Sequence, residues 1–543
     1  MEKRLRISRN TRISLILSWA LALSGVSIPA YSQNSSVEKA PKLVVGITVE
    51  GMSEEYIDLL RELFGDNGFN YILANAVTLT DVDYGSLLDG PSYNSIIHTG
   101  ASPAVNGIPS EYIYNPTTHR AVPTLNSEAP SAADENYSPS RILASTLADE
   151  VKIHGDGLGQ VHSIAASPAM AITAGGHTPN STYWINDISG KWTTSTYYHD
   201  RPTFIQYRNR MTPVSAKLDT LTWSPTLNIS NYPALSSIKK EFPFKVRFLY
   251  GDSDRYTRYK SSPVVNDEIT DLAIEYIDKL DLGKHEEPDM LNIGYTLQPF
   301  PYSNDQNERA QTLDGYLRFD KNLDRLFSAI DRGPGLDRTL FFIVGTPLSS
   351  RSRKEDERWR IPTGEFSTKK AISLLNLYLI NKYGNGDWIT GYNNGYFYLN
   401  PNAASTHGAD LADVRTDAVS FLRRMSGIAY AYSIDDIIDG KVNEDIIKPR
   451  NVRIDAVGDI FISVLPGWEV TEENPVIPAG NQIYRLGSAT APAYILYPKL
   501  EKNTVSSVVD ARAIAPTIAS IMRIRPPNGA TLSPIRLKRK ENK

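Results

Sequence analysis

The sequence predicts an α/β fold: a large, mostly parallel sheet sandwiched by helices and interrupted by inserted cap regions. Three observations carry this. Apolar runs of strand length recur at 42–49, 161–166, 289–296 and 339–344, several rich in β-branched residues, and such runs suit strands buried on both faces. Segments with helical spacing alternate with them, the clearest being Glu308–Asp331, with Leu313, Tyr316, Leu317, Leu323, Phe327 and Ile330 on one face and Gly333-Pro-Gly335 as its stop. The rhythm breaks at about 202–266 and 352–451, which read as insertions rather than separate domains.

In chain order, Arg4, Arg6, Arg9 and Arg12 precede an apolar run over 13–26, and Ala30-Tyr-Ser32 supplies small residues for cleavage. A signal peptide over 1–32 and a linker over 33–41 are expected, leaving an α/β domain over 42–537 and a basic tail over 538–543. The strand at 42–49 ends on Glu50 where helical spacing begins, the place where open α/β sheets put their sites. A helix over 69–76 leads into a strand at 77–82. A helix from about Tyr137 to Glu150, a hairpin over 183–198 and a helix over 268–280 follow. The segments 453–466 and 493–497 are expected to return the chain to the sheet, and 508–524 to close it as a helix.

Of 543 residues, 41% are hydrophobic and 22% charged, with a net charge of −4. No basic excess exists to drive nucleic-acid binding. The chain has no Cys, which excludes disulfides and thiolate chemistry. No stretch after the N-terminal run is long and apolar enough to span a membrane, so a periplasmic or secreted protein is expected.

Several motifs resemble one family. Val44-Val-Gly-Ile-Thr-Val-Glu-Gly-Met52, Thr99-Gly-Ala-Ser-Pro-Ala-Val-Asn-Gly-Ile108, Tyr316-Leu-Arg-Phe-Asp-Lys-Asn-Leu323, 458–468 and Ile514-Ala-Pro-Thr-Ile-Ala-Ser-Ile521 are similar, in order, to motifs of the PafA-like alkaline phosphatases. That branch lies within the alkaline phosphatase and nucleotide pyrophosphatase/phosphodiesterase superfamily. The resemblance implies a mixed, largely parallel sheet with a cap. It also implies two Zn²⁺ held by three Asp and three His around a Thr or Ser nucleophile, because an in-line displacement needs both attacking and leaving oxygens stabilised.

Carried over residue by residue, that chemistry is missing. The first Asp ligand falls on Glu50, and the nucleophile on Asp89 or Gly90, neither a hydroxyl. A phosphate-binding Asn falls near Glu111, and the cationic clamp on Ala166 and Pro168. The remaining ligand positions fall on Leu297, Pro301, Gly345, Thr346 and Thr490. The family's three His ligands belong to the second half, yet only His285 and His407 lie beyond residue 200. The zinc pair is therefore expected to be lost, and no cofactor is expected.

Glu50, Asp89 and Glu111 could together hold one hard cation such as Ca²⁺, and Asp89 before Gly-Pro could simply cap a helix. His177 could bind an anion, and His98 reads as structural. The mixed-sign run Arg351–Arg360 reads as solvated surface. The cap's Tyr residues either pack the insertion or face a partner. The expected function is a catalytically inactive binding or scaffold protein of the cell envelope, with an envelope protein or anionic ligand as partner. The alternatives are a metal-dependent phosphomonoesterase or phosphodiesterase with an atypical site, and a module that binds an anionic sugar or phosphoester without turnover.

Overall fold

Alternation along the first strand decides what faces what. In β1 (Leu43–Glu50), Leu43, Val45, Ile47 and Val49 enter one buried core and Val44 enters the other, so Gly46, Thr48 and Glu50 share the Val44 face. The structure, a computed structural model, describes residues 40–540 apart from 86–87, 127–135, 234–242, 304–306, 349–361, 445, 466 and 473–488. The signal peptide, most of the linker, the 351–360 run and residues 541–543 thus lie outside the described residues. Among the described residues no helix is long and apolar enough to cross a membrane.

The main sheet has ten strands: β1, β2 (Val77–Asp83), β3 (Val161–Ala165), β4 (Ser181–Ile185), β5 (Trp192–Thr193), β6 (Asp289–Thr296), β7 (Thr339–Gly345), β8 (Thr490–Leu496), β9 (Asn503–Val505) and β10 (Val509–Asp510). Their order is β9-β2-β8-β7-β1-β6-β3-β4-β5, with β10 also on β2. The centre is parallel: β1 pairs with β6 and β7, and β3 with β6 and β4. β8 runs antiparallel between β7 and β2, so the sheet is mixed. Helices Val265–Lys279 and Glu308–Arg332 cover one face. Gly90–Thr99, Leu147–His154 and Ile514–Met522 contribute to the core on the other. Each fully buried Val, Leu or Ile contributes roughly 1.5–3 kcal/mol, so the central strands anchor the fold.

Glu308–Arg332 does more than pack. The Tyr316 hydroxyl donates to Gly51 O (3.1 Å) and accepts from Ser53 N (2.8 Å), fixing the loop that follows Glu50. Asp314, with no exposed side-chain surface, accepts from Trp223 Nε1 (2.7 Å), Thr226 N (2.6 Å), Tyr232 Oη (2.7 Å) and Arg318 Nε (2.7 Å), tying the first insertion to the core. Glu268, 1% exposed, does likewise: it accepts from Trp192 Nε1 and Arg208 Nε (2.8 and 2.9 Å) and pairs with Lys217.

The first insertion holds helices Thr203–Met211, Val214–Thr220 and Arg255–Lys260 and a small ribbon of Thr222–Trp223 with Val246–Arg247. The second builds its own antiparallel sheet in the order 389–393, 396–399, 460–464, 428–433, with Thr368–Tyr383 and Leu411–Leu422 sharing its core.

Three expectations need correcting. Ile460–Val464 does not return to the main sheet but sits between two strands of the second insertion, which runs on to Thr471; an apolar run of five residues cannot show which sheet it joins. The helix expected over 137–150 is a 3₁₀ turn at Pro139–Arg141 and a helix at Leu147–His154, because Thr146 and Asp149 form a capping box that starts the helix late. The closing helix covers only Ile514–Met522, preceded by β10 and a 3₁₀ turn, Ala511–Ala513.

Candidate functional site

The C-terminal edges of β1, β6 and β7 meet the N-terminus of the Gly90–Thr99 helix. Parallel pairing brings Glu50 level with Thr296 of β6. On the other side Thr346 N donates to Val49 O (2.9 Å) and Thr346 O accepts from Gly51 N (3.1 Å), so the ladder runs one residue past β7 and sets Thr346 opposite Glu50. Register and alternation put both side chains on the Val44 face, under the Gly90–Thr99 helix. A Cβ added at Gly90 would lie 2.7 Å from Glu50 Oε1, so this glycine permits the approach of carboxylate and helix end.

Asp89 caps that helix. Its Oδ1 accepts from Ser92 N (3.2 Å) and Ser92 Oγ (2.9 Å), and its Oδ2 accepts from Glu111 N (2.5 Å). Both oxygens are turned to the protein by a cap that Asp-Gly-Pro specifies locally. The bond to Glu111 N also places Glu111 beside the cap.

Glu50 and Glu111 differ from Asp89 in one respect: no hydrogen bond from a described residue reaches either carboxylate. By area both residues are partly exposed, yet protein surrounds their carboxyls closely enough to dominate their ionisation. Burial, then the Asp89 charge, pushes Glu50 up to about 7. Burial, then Asp89 and Glu50, pushes Glu111 up to about 8, against the pull of Lys260. Burial also raises Asp89, opposed by the bonds from Glu111 N and Ser92. Above them Asp187 pairs with Lys260 (2.9 Å), and the Asp187 charge reaches Glu111 and Tyr112.

The other predicted positions gather at these strand ends or lie outside them. Leu297 is 2% exposed and donates its N–H to Glu50 O (2.7 Å); Gly345 accepts from Tyr84 Oη (2.5 Å) and ends β7. Pro301 lies exposed in a turn and Thr490 exposed at the start of β8. Leucine, proline and glycine offer no side-chain ligand, and the two threonines offer only hydroxyls, so this donor set does not fit a zinc pair. Among the described residues no group of three or more His, Cys, Asp or Glu is placed to hold a metal ion, and both Asp89 oxygens are engaged by the helix cap and Glu111 N.

His177 is not free for an anion: Nδ1 lies 2.8 Å from Asp149 Oδ2 and Nε2 2.9 Å from Ile142 O, so both nitrogens are engaged. His98 is fully buried at the far end of the Gly90–Thr99 helix, 3.3 Å from Thr48 Oγ1, and burial lowers it to about 3. Sequence reasoning placed Thr346 only as a lost ligand and missed Asp187, Lys260 and the anchoring Tyr316 hydroxyl. The 3.6-residue spacing marked Tyr316 as core, and its polar end was the available signal.

The profile described as type I phosphodiesterase / nucleotide pyrophosphatase matches residues 44–477. The chain is 24% identical over 541 residues to alkaline phosphatase PafA of Elizabethkingia meningoseptica, covering 95% of this chain and 98% of that one. It is 24% identical over 513 residues to alkaline phosphatase PhoV of Synechococcus elongatus, covering 90% and 91%. The crystal structure of wild-type PafA superposes with a TM-score of 0.79 at 23% identity, over 91% of this chain and 98% of that one, and so shares the fold.

Proposed function

The chain belongs to the type I phosphodiesterase / nucleotide pyrophosphatase family, and from that premise we propose that it binds a ligand or partner in the cell envelope without hydrolysing a phosphoester. One observation carries this reading. The helix N-terminus, where the resemblance puts a hydroxyl nucleophile, holds a capping Asp89 flanked by the carboxylates of Glu50 and Glu111. Phosphoryl transfer needs positive charge on the transferring group, and these three acids supply none, whether protonated or ionised. Above the raised values of Glu50 and Glu111, about 7 and 8, a phosphate dianion there would also meet like charges, and burial makes that repulsion stronger than in water. Export directed by the signal peptide expected over 1–32, and its cleavage, would deliver the protein to the periplasm or outside.

Hydrolysis of an aryl phosphate and an aryl phosphodiester by the purified chain, with and without added Zn²⁺, tests the reading. No turnover above the buffer rate is expected. Turnover that disappears in Asp89→Ala would establish the metal-dependent phosphoesterase with an atypical site instead.

A further inference from the structure

Beside β9 the surface reverses the sign of the whole chain. The net charge is −4, yet residues 499–502, which lead from β8 to β9, and residues 536–540 bring Lys499, Lys502, Arg536, Lys538, Arg539 and Lys540 together against a single acid, Glu501. Backbone pairing joins the two segments. Glu501 N donates to Lys538 O (3.0 Å) and Lys540 N donates to Lys499 O (2.9 Å), around a bridge between Leu500 and Arg539. Leu500 is buried in the core on which Ile535 and Leu537 also pack, and Ile535 N donates to Thr517 Oγ1 (2.9 Å). Exposure alternates along this stretch: Ile535 and Leu537 are held inward while Arg536 and Lys538 are turned to solvent. The cations therefore stand on an anchored backbone.

Internal pairing does not account for them. Among the described residues the side chains of Lys502, Arg536, Lys538 and Lys540 form no ion pair, and all four are exposed. By contrast, Arg450 and Arg512 share Asp510. Like charges held together repel unless an anion offsets them. A small anion would meet fully hydrated side chains one at a time, whereas an extended anionic surface meets several at once. Each Lys or Arg brought to an acidic lipid surface strengthens binding about fivefold. Among the described residues no helix can cross a membrane, so a mature chain retained at an envelope membrane would need attachment by its surface.

We propose that the cationic face formed by residues 499–502 and 536–540 docks the protein reversibly on an anionic phospholipid membrane, with Lys502, Arg536, Lys538 and Lys540 at the phosphate headgroups. Leu500, Ile535 and Leu537 stay in the core, so the attachment is electrostatic and salt screens it. The inference rests on the envelope placement in the proposed function and is independent of whether the strand-end site turns over a phosphoester.

Co-sedimentation of the protein, purified in its exported form, with vesicles of phosphatidylcholine alone or mixed with phosphatidylglycerol tests it. At about 0.1 M salt the protein is expected to bind the mixed vesicles and not the neutral ones, and at about 1 M salt, where the Debye length is about 3 Å, to be released. Arg536→Ala/Lys538→Ala should weaken binding about 25-fold. Lys369→Ala/Lys370→Ala, which removes the same charge from the helix Thr368–Tyr383, should weaken it less than about twofold, because those lysines lie outside the docking face. Thermal melts verify that each variant folds, and the salt dependence of the unaltered protein tests the proposal whether or not they do. No binding to the mixed vesicles, binding that high salt does not reverse, or equal losses in the two double variants would overturn the proposal. Retention on heparin without vesicle binding would assign the patch to a soluble polyanion and overturn it as well. Phosphoester turnover by the same sample would overturn the functional reading and leave this inference standing, whereas absence of vesicle binding would sink this inference alone.

Discussion

Two sets of buried acids differ in how their charge is met. At the seam between the first insertion and the core, Glu268 and Asp314 accept from indole, guanidinium and backbone donors at 2.6–2.9 Å. Burial pulls the Asp314 carboxyl up, but the Arg318 charge and the bonds from Thr226 and Trp223 outweigh it, and Asp314 lies below the usual carboxylate range. At the strand ends Glu50 and Glu111 have like charges for neighbours and no donors among the described residues, and both lie far above that range. The fold neutralises a buried acid at the seam, so the strand-end pair, which lacks such donors, is the candidate for a role other than structure.

Removing a seam acid should give the largest effect. Glu268→Ala strands Arg208 and the Trp192 indole, and a broken buried pair costs about 3–5 kcal/mol; urea unfolding should show that loss, and a cost under about 1 kcal/mol would dissolve the contrast. The strand-end acids should behave oppositely. A carboxyl whose folded pKa is raised binds more protons folded than unfolded, so stability falls as pH rises from the unfolded value of about 4.5 through the folded values of about 7 and 8. Glu50→Gln and Glu111→Gln should each flatten this fall and stabilise the protein at pH 8 by on the order of 1 kcal/mol, read from melting temperatures across that window. The smallest effect belongs to His177. The bond to Asp149 raises it against burial, so its stabilisation is full below the unfolded pKa of about 6.5 and is lost as pH rises through the folded value. His177→Asn should cost about 1 kcal/mol at pH 5.5 and less at pH 9.

Much of the main sheet was legible in the sequence because its central strands are apolar on both faces, a pattern that amphipathic helices cannot imitate. Insertion boundaries were less so: Ile460–Val464 looks like any interior strand, and only pairing with 428–433 and 396–399 assigns it to the second sheet. The expectation of lost ligands rests on residue types alone, since neither Leu297 nor Gly345, where the resemblance places zinc ligands, has a side chain that can bind zinc. The relation of Thr346 to Glu50 could not be read that way, because it depends on a ladder between segments almost three hundred residues apart. His177 misled because its glycine-rich setting suggests a loop near a pocket, while Asp149, engaged both in its own capping box and with His177, is invisible without the fold.

The central claim is that the frame of a two-metal phosphoesterase persists here without its metals. Elemental analysis of the purified full chain, saturated with Zn²⁺ and passed through a desalting column, addresses it most directly. The account predicts zinc far below one per chain, unchanged in Glu50→Gln, whereas close to two zinc ions per chain, lost in that variant, would contradict it.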